Sequence, residues 1–158
     1  MGYIDNNLMS SEQVIYRTKL HWVAIGVPII FTVIIALITL VLLFTGGDAA
    51  AVGYFFLLFL FIAIIWVVSS FITFKTSEFG VTNKRILIKV GWIRRTSLET
   101  LLTKVEGIQV NQGIFGRILS YGMIVIKGTG GTSTPFHKIE TPLEFRKKVQ
   151  EQLDLIQQ

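Results

Sequence analysis

The side chains of this sequence best suited to chemistry are its basic residues. Lys75, Lys89, Arg94 and Arg95 crowd around Trp92, with Lys84 and Arg85 between them. Ammonium and guanidinium groups pair with phosphate, and an indole sits well where apolar and wet media meet. That mixture suits an anionic, amphipathic surface. Other reactive groups are sparse. The chain has no cysteine, which excludes disulfides, thiolate metal sites and cysteine nucleophiles. His21 and His137 stand far apart, and neither belongs to a His/Asp/Glu cluster with metal-ligand spacing. His21 reads as an interface anchor and His137 as a surface strand residue. Gly128-Thr129-Gly130-Gly131 lacks the following helix and the Lys-Ser/Thr pair of a phosphate loop, so it reads as a hairpin turn. No catalytic, metal or cofactor site is expected, and no enzymatic activity.

The elements that must position these cations differ sharply between the two parts of the chain. Of 158 residues, 51% are hydrophobic and 16% charged, with mean hydropathy +0.61, net charge +5 and a pI near 9.6. That is too apolar for an ordinary soluble domain. Residues 22–44 and 49–74 contain no Asp, Glu, Lys or Arg. As helices they would span roughly 35–39 Å, against a hydrocarbon core of about 30 Å. They read as two transmembrane helices joined by Thr45-Gly46-Gly47-Asp48, a link short enough only for an antiparallel hairpin. Pro28 is expected to kink the first helix. The first run starts too late and is too long for a cleaved signal peptide. Trp22 and Tyr54 fit interfacial belts, whereas Trp66 reads as packing. Gly26, Gly53 and Ala63 permit close helix contacts but form no small-xxx-small motif.

Orientation follows from the cations. The hairpin tip has none, Arg17 and Lys19 precede the first helix, and 13 Lys and Arg follow the second. Both termini are therefore expected in the cytoplasm. This gives an N-terminal cytoplasmic segment over 1–21, a hairpin over 22–74 and a cytoplasmic domain over 75–158. Neither run holds an acid, base or histidine, which argues against transport.

Residues 75–158 carry 13 basic and 7 acidic side chains. They read as about seven short strands: 71–81, 85–90, 92–97, 98–103, 105–110, 121–127 and one near 134–138, the pattern of a small sandwich or barrel. The Gly113–Gly116 turn is expected to pack in the core, with an exposed contact as the alternative. Thr141-Pro142-Leu143-Glu144 is a capping box, and Phe145, Val149, Leu153 and Ile156 then form one apolar stripe. An amphipathic C-terminal helix follows, with Arg146, Lys147 and Lys148 solvated. Basic residues are not interleaved with exposed aromatics on a free face, so nucleic acid is not an expected partner.

Two apolar helices, seven strands and a closing helix resemble the bacterial pleckstrin homology (PH) domain membrane proteins of the YdbS/YdbT-like type. The residues that carry the resemblance include Glu12–Tyr16, His21-Trp22, Thr82–Ile86, Gly91–Arg95, Lys104–Ile108, Gly116–Gly122, Gly128–Gly131 and Pro142–Arg146. The resemblance covers residues 10–153. It implies a PH-like barrel or sandwich capped by the C-terminal helix, in a bacterial inner membrane, and makes a homo-oligomer plausible. It also puts Lys84 and Arg85 where eukaryotic PH domains grip phosphoinositides, a possible ligand or partner turn.

Geometry redirects that expectation. A first strand leaving the bilayer near Phe74 would carry the 84–85 turn roughly 26 Å away, and the second strand would return. Lys75, Lys89, Trp92, Arg94 and Arg95 are then the membrane- and lipid-contact set. The expected function is a non-catalytic PH-like scaffold or accessory protein. It would bind the membrane surface, a membrane protein partner or copies of itself. The alternative is a small subunit of an oligomeric transport or export system.

Overall fold

A computed structural model describes residues 2–92, 95–131 and 133–157. The chain forms two compact units, one of Trp22–Lys75 and one of Met1–His21 with Thr76–Gln158.

The first unit is a pair of helices, α2 (Val23–Thr45) and α3 (Gly47–Thr76), each long and apolar enough to cross a membrane. Only Gly46 separates them. Gly46 and Gly47 have φ of 70° and 57°, values that favour glycine. Hydroxyls within α2 are satisfied by its own carbonyls, with Thr32 donating to Pro28 and Thr39 to Ile35, each at 2.8 Å. A Cβ on Gly53 would lie 2.9 Å from Leu43 Cδ2, so glycine permits close helix approach there. Trp66 packs edge-on to Phe31, as its position suggested.

The second unit is a sandwich of two antiparallel sheets with a C-terminal helix. One sheet has the order β1 (Val14–Thr18), β2 (Glu78–Thr82), β3 (Arg85–Val90), β4 (Thr96–Leu101). The other has the order β5 (Val105–Asn111), β6 (Tyr121–Gly128), β7 (Ser133–Glu140). Alternation sets the faces. Phe79 pairs with Ile88 and Val81 with Ile86, so these four face the core together. From the second sheet come Ile124, Ile126 and Phe136, with Phe136 edge-on to Phe79 at 6.0 Å. Helix α5 (Pro142–Gln157) closes the core with Phe145 and Val149, both fully buried.

Three elements differ from the sequence expectation. The N-terminal segment is no mere flank, because it supplies β1 and the short helix α1 (Tyr3–Asn6). Residues 71–76 continue α3, since nothing in that apolar stretch stops a helix before Ser77. The expected boundary between strands at 97 and 98 is absent: Thr96–Leu101 is one strand, and Leu102 turns into the core in a 3-10 turn, while residues 93 and 94 of the expected strand lie outside the described residues.

Helix α1 covers the outer face of the first sheet. Gly80 pairs with Leu87 on that face, and Ile4 lies over Gly80 so closely that a Cβ there would meet Ile4 Cδ1 at 2.7 Å. This explains why β3 is buried on both faces. Gly80→Val is expected to unseat α1 and cost about 1–3 kcal/mol by overpacking, measurable as a lowered denaturation midpoint in detergent.

Candidate functional site

Tyr3 organises the basic residues on the outer face of the first sheet. Lys89 on β3 places its ammonium 5.4 Å from the centre of the Tyr3 ring, and the Arg95 guanidinium carbon lies 4.9 Å from it. The Tyr3 hydroxyl donates to Glu99 on β4 at 2.9 Å, and burial and that carboxylate raise its pKa. An aromatic ring attracts cations through its face. It therefore holds two like charges together without consuming their hydrogen-bond donors, leaving them able to bind an anionic oxygen. The Tyr3 position is fixed from below. Glu78 on β2 accepts the Tyr3 and Ile4 backbone N–H groups at 2.9 and 3.1 Å, which caps α1.

Lys84 and Arg85 are not a matched pair. Arg85 is only 8% exposed. Its Nε and Nη2 donate to the two Glu12 carboxylate oxygens, each at 2.9 Å. Nη1 reaches Glu99 at 2.9 Å and Nη2 also reaches the Asn7 carbonyl at 2.5 Å. Glu12 in turn accepts from the Thr82 hydroxyl at 2.7 Å and the Met9 N–H at 3.0 Å. The Arg85 guanidinium holds the Glu12 carboxyl down to about pKa 2, against the opposing effect of burial. Arg85 is thus committed to fastening the N-terminal segment, so the expectation of a ligand turn does not extend to it. Lys84 is exposed and bonded to the Ser11 hydroxyl at 2.5 Å.

Register locates the turn after β3. Thr18 pairs with Phe79, Glu78 with Lys89, and Val90 with Thr96. The end of this sheet that carries Lys89, Trp92 and Arg95 is therefore where the chain leaves for residues 22–75 and where it returns. Gly91 turns with φ 90° and donates its N–H to the Ser77 hydroxyl, leaving Trp92 61% exposed. Arg94 lies outside the described residues. Lys75, in the helical unit, is exposed in the last turn of α3 with its ammonium 5.8 Å from the Phe71 ring centre.

The second sheet reaches the same crossing. Leu20 bridges Ile139, the His21 N–H donates to the Lys138 carbonyl at 2.7 Å, and the Glu140 N–H donates to Lys19 at 3.0 Å. Tyr121 pairs with Glu140 and stacks on His21. Just before Tyr121 stands the short helix α4 (Ile114–Ile118). Here the core expectation for the Gly113–Gly116 turn is overturned, because Ile114 and Phe115 are 79% and 73% exposed. Only Gly116 in that turn is buried, its space taken by the Tyr121 carbonyl.

The remaining candidates have structural roles. Gly128–Gly131 forms the β6–β7 hairpin, with φ of 112° at Gly130 and 76° at Gly131. His137 is an exposed strand residue. Lys147 and Lys148 pair with Glu151 along α5. Among the described residues no three His, Asp or Glu side chains converge as metal ligands.

Sequence reasoning missed Tyr3 and Glu12 as organisers of the site. The one available signal was the β-branched and aromatic run Val14-Ile15-Tyr16-Arg17-Thr18, which fits a strand. The family model for the bacterial PH domain matches residues 18–153, from the last residue of β1 into α5. No curated protein matches the chain.

Proposed function

The chain belongs to the bacterial PH-domain family, and from that premise we propose that it is a membrane-anchored, non-catalytic interaction module that reads anionic headgroups. In this reading α2 and α3 span the bacterial cell membrane. The cation-free hairpin tip lies outside, and the PH unit lies in the cytoplasm with both termini. The headgroup contacts are Lys75, Lys89, Trp92, Arg94 and Arg95. Lys84, at the opposite turn of the first sheet, remains for a protein partner.

One observation carries the reading. Lys89 and Arg95 are held on one aromatic ring near an exposed indole, at the end of the sheet where the chain crosses to its apolar helices. Short connections support it. Only residues 19–22 separate β1 from α2, and Ser77 alone separates α3 from β2. At roughly 3.3–3.6 Å per residue, neither connection can carry that end far from a bilayer that α2 and α3 cross. Residues 22–44 and 49–74 hold no acid, base or histidine that would serve as an ion ligand or relay, so no observation favours the transport alternative.

The test uses the full chain in nanodiscs of mixed anionic and zwitterionic lipid, with retained lipids counted by native mass spectrometry. Each headgroup-facing cation contributes about 1 kcal/mol, so Lys89→Gln with Arg95→Gln should reduce anionic-lipid retention about 30-fold. Lys89→Arg with Arg95→Gln, which keeps one of the two charges, should restore part of it. Retention unchanged in the double variant would reject the headgroup reading.

A further inference from the structure

We infer that α4 is a membrane-embedded wedge, a second attachment point that inserts Ile114, Phe115 and Ile118 into the headgroup–acyl boundary. This deepens the proposed function and rests on its membrane-facing end, but it concerns a different element with no basic cluster of its own. Three apolar side chains in this five-residue helix are each more than 70% exposed. A soluble surface rarely groups large apolar residues so tightly without a contact to cover them.

The helix is held in place rather than frayed. Gln112 donates its side-chain N–H groups to the carbonyls of Gly116 at 3.3 Å and Tyr121 at 3.0 Å. Gly116 sits so close to the Tyr121 carbonyl that a Cβ would lie 2.6 Å from it. With that side fastened to the start of β6, Ile114, Phe115 and Ile118 project away from the sandwich. An open cleft of about 390 Å³ adjoins Ile114 and Phe115, lined in part by Tyr121, Met123 and Lys138.

Position identifies what covers this face. Two residues separate α4 from Tyr121, which pairs with Glu140, whose N–H donates to the Lys19 carbonyl. From Lys19 the chain needs only four residues to begin its first apolar helix at Val23. The wedge therefore stands at the crossing end of the second sheet, as Trp92 does at the crossing end of the first. Arg117 and Lys138 border it, with Glu144 as the nearby acid. That is a net positive rim around an apolar tip, the composition of an interfacial anchor. A lipid interface is the occupant that matches both the tip and its neighbourhood.

The chain lacks cysteine, so single labels are clean. The full chain carrying Phe115→Cys, Ile118→Cys, Trp92→Cys or Thr129→Cys is spin-labelled and placed in zwitterionic vesicles. Omitting anionic lipid separates apolar insertion from headgroup binding. Accessibility to oxygen and to a water-soluble nickel chelate is then read by power saturation. Labels at Phe115 and Ile118 should show an oxygen-to-nickel ratio at least about twofold above that of Thr129, at a depth of about 5–10 Å, independent of protein density. Ile118→Cys keeps Phe115, so the result does not depend on removing the main anchor.

Water-like values at Phe115 and Ile118 with a lipid-like value at Trp92 would overturn the wedge alone. Water-like values at all three would overturn the wedge together with the membrane-facing reading. A lipid-like α4 with a water-like Trp92 would uphold the wedge and remove Trp92 from the headgroup set. Shielding that disappears on dilution with lipid would assign the face to a second copy of the chain and overturn the wedge.

Discussion

Replacing Arg85 by alanine should destabilise the PH unit by about 3–5 kcal/mol, the cost of leaving a buried carboxylate without its partner. The Glu12 side chain is fully buried, and both of its oxygens bond Arg85. Removing the guanidinium also strips Glu99 and the Asn7 carbonyl of a donor. The lesion therefore reaches both strand β4 and the N-terminal segment. Arg85→Lys should recover only part of the loss, because an ammonium cannot bond both Glu12 oxygens in a planar fork. Glu12→Gln with Arg85→Met should be milder than Arg85→Ala, since neither charge is then stranded. Pulse proteolysis of the full chain in detergent across a urea series measures all three. An Arg85→Ala variant within about 1 kcal/mol of wild type would show that water relieves Glu12 and that the bridge is dispensable.

The same pair sets an acid limit. Glu12 titrates near 2 in the folded unit against an ordinary 4.5. Between those values the unfolded chain binds the proton and the folded unit does not. The contribution of Glu12 is therefore complete above about pH 5 and is lost as pH falls through 2. A shift of this size corresponds to about 3 kcal/mol, comparable with the cost expected for Arg85→Ala. Glu12→Gln should accordingly flatten the fall in stability between pH 5 and 2, read from proteolysis midpoints at each pH. A wild-type profile as flat as that of Glu12→Gln would remove Glu12 from the acid response.

The elements visible in the sequence are those that satisfy themselves locally. Runs 22–44 and 49–74 needed no partner to be read, because helical hydrogen bonds close within the segment. The spacing of Phe145 and Val149 was likewise enough for α5. What the sequence concealed depends on distant partners. Strand β1 is short, and its partner β2 begins beyond the whole hairpin. Helix α1 has four residues and takes its cap from Glu78, far along the chain. Arg85 beside a turn looked solvated because Glu12 lies 73 residues away. The basic set was legible as composition, but Tyr3, which gathers Lys89 and Arg95, was not. Ile114, Phe115 and Ile118 have the spacing of a core stripe, and only the tertiary structure shows that stripe facing outward.

Deleting residues 2–18 should unfold the PH unit while leaving α2 and α3 intact. That segment supplies Ile4, only 1% exposed, whose burial alone is worth about 2–5 kcal/mol. It supplies Glu12, without which Arg85 is stranded at a further cost of about 3–5 kcal/mol. It also supplies Tyr16, edge-on to Phe145 and hydrogen-bonded to Thr141, and the Thr18 hydroxyl that donates to Glu140. Strand β1 thus ties the first sheet to the second and to α5. Together these losses match or exceed the stability of an ordinary domain, about 5–15 kcal/mol. Limited proteolysis in detergent should leave a resistant fragment near 22–75 and none spanning 76–157. Survival of the larger fragment would mean that β2 to α5 form a self-sufficient core. Ile4→Ala, a gentler change, should lower the midpoint without abolishing the fold. The dependence has a consequence for assembly. Because the apolar hairpin lies between β1 and β2 in the chain, the proposed membrane-spanning arrangement would let those strands pair only with both ends of the hairpin on the same side of the bilayer. Under that proposal, folding of the PH unit is coupled to the topology of the hairpin.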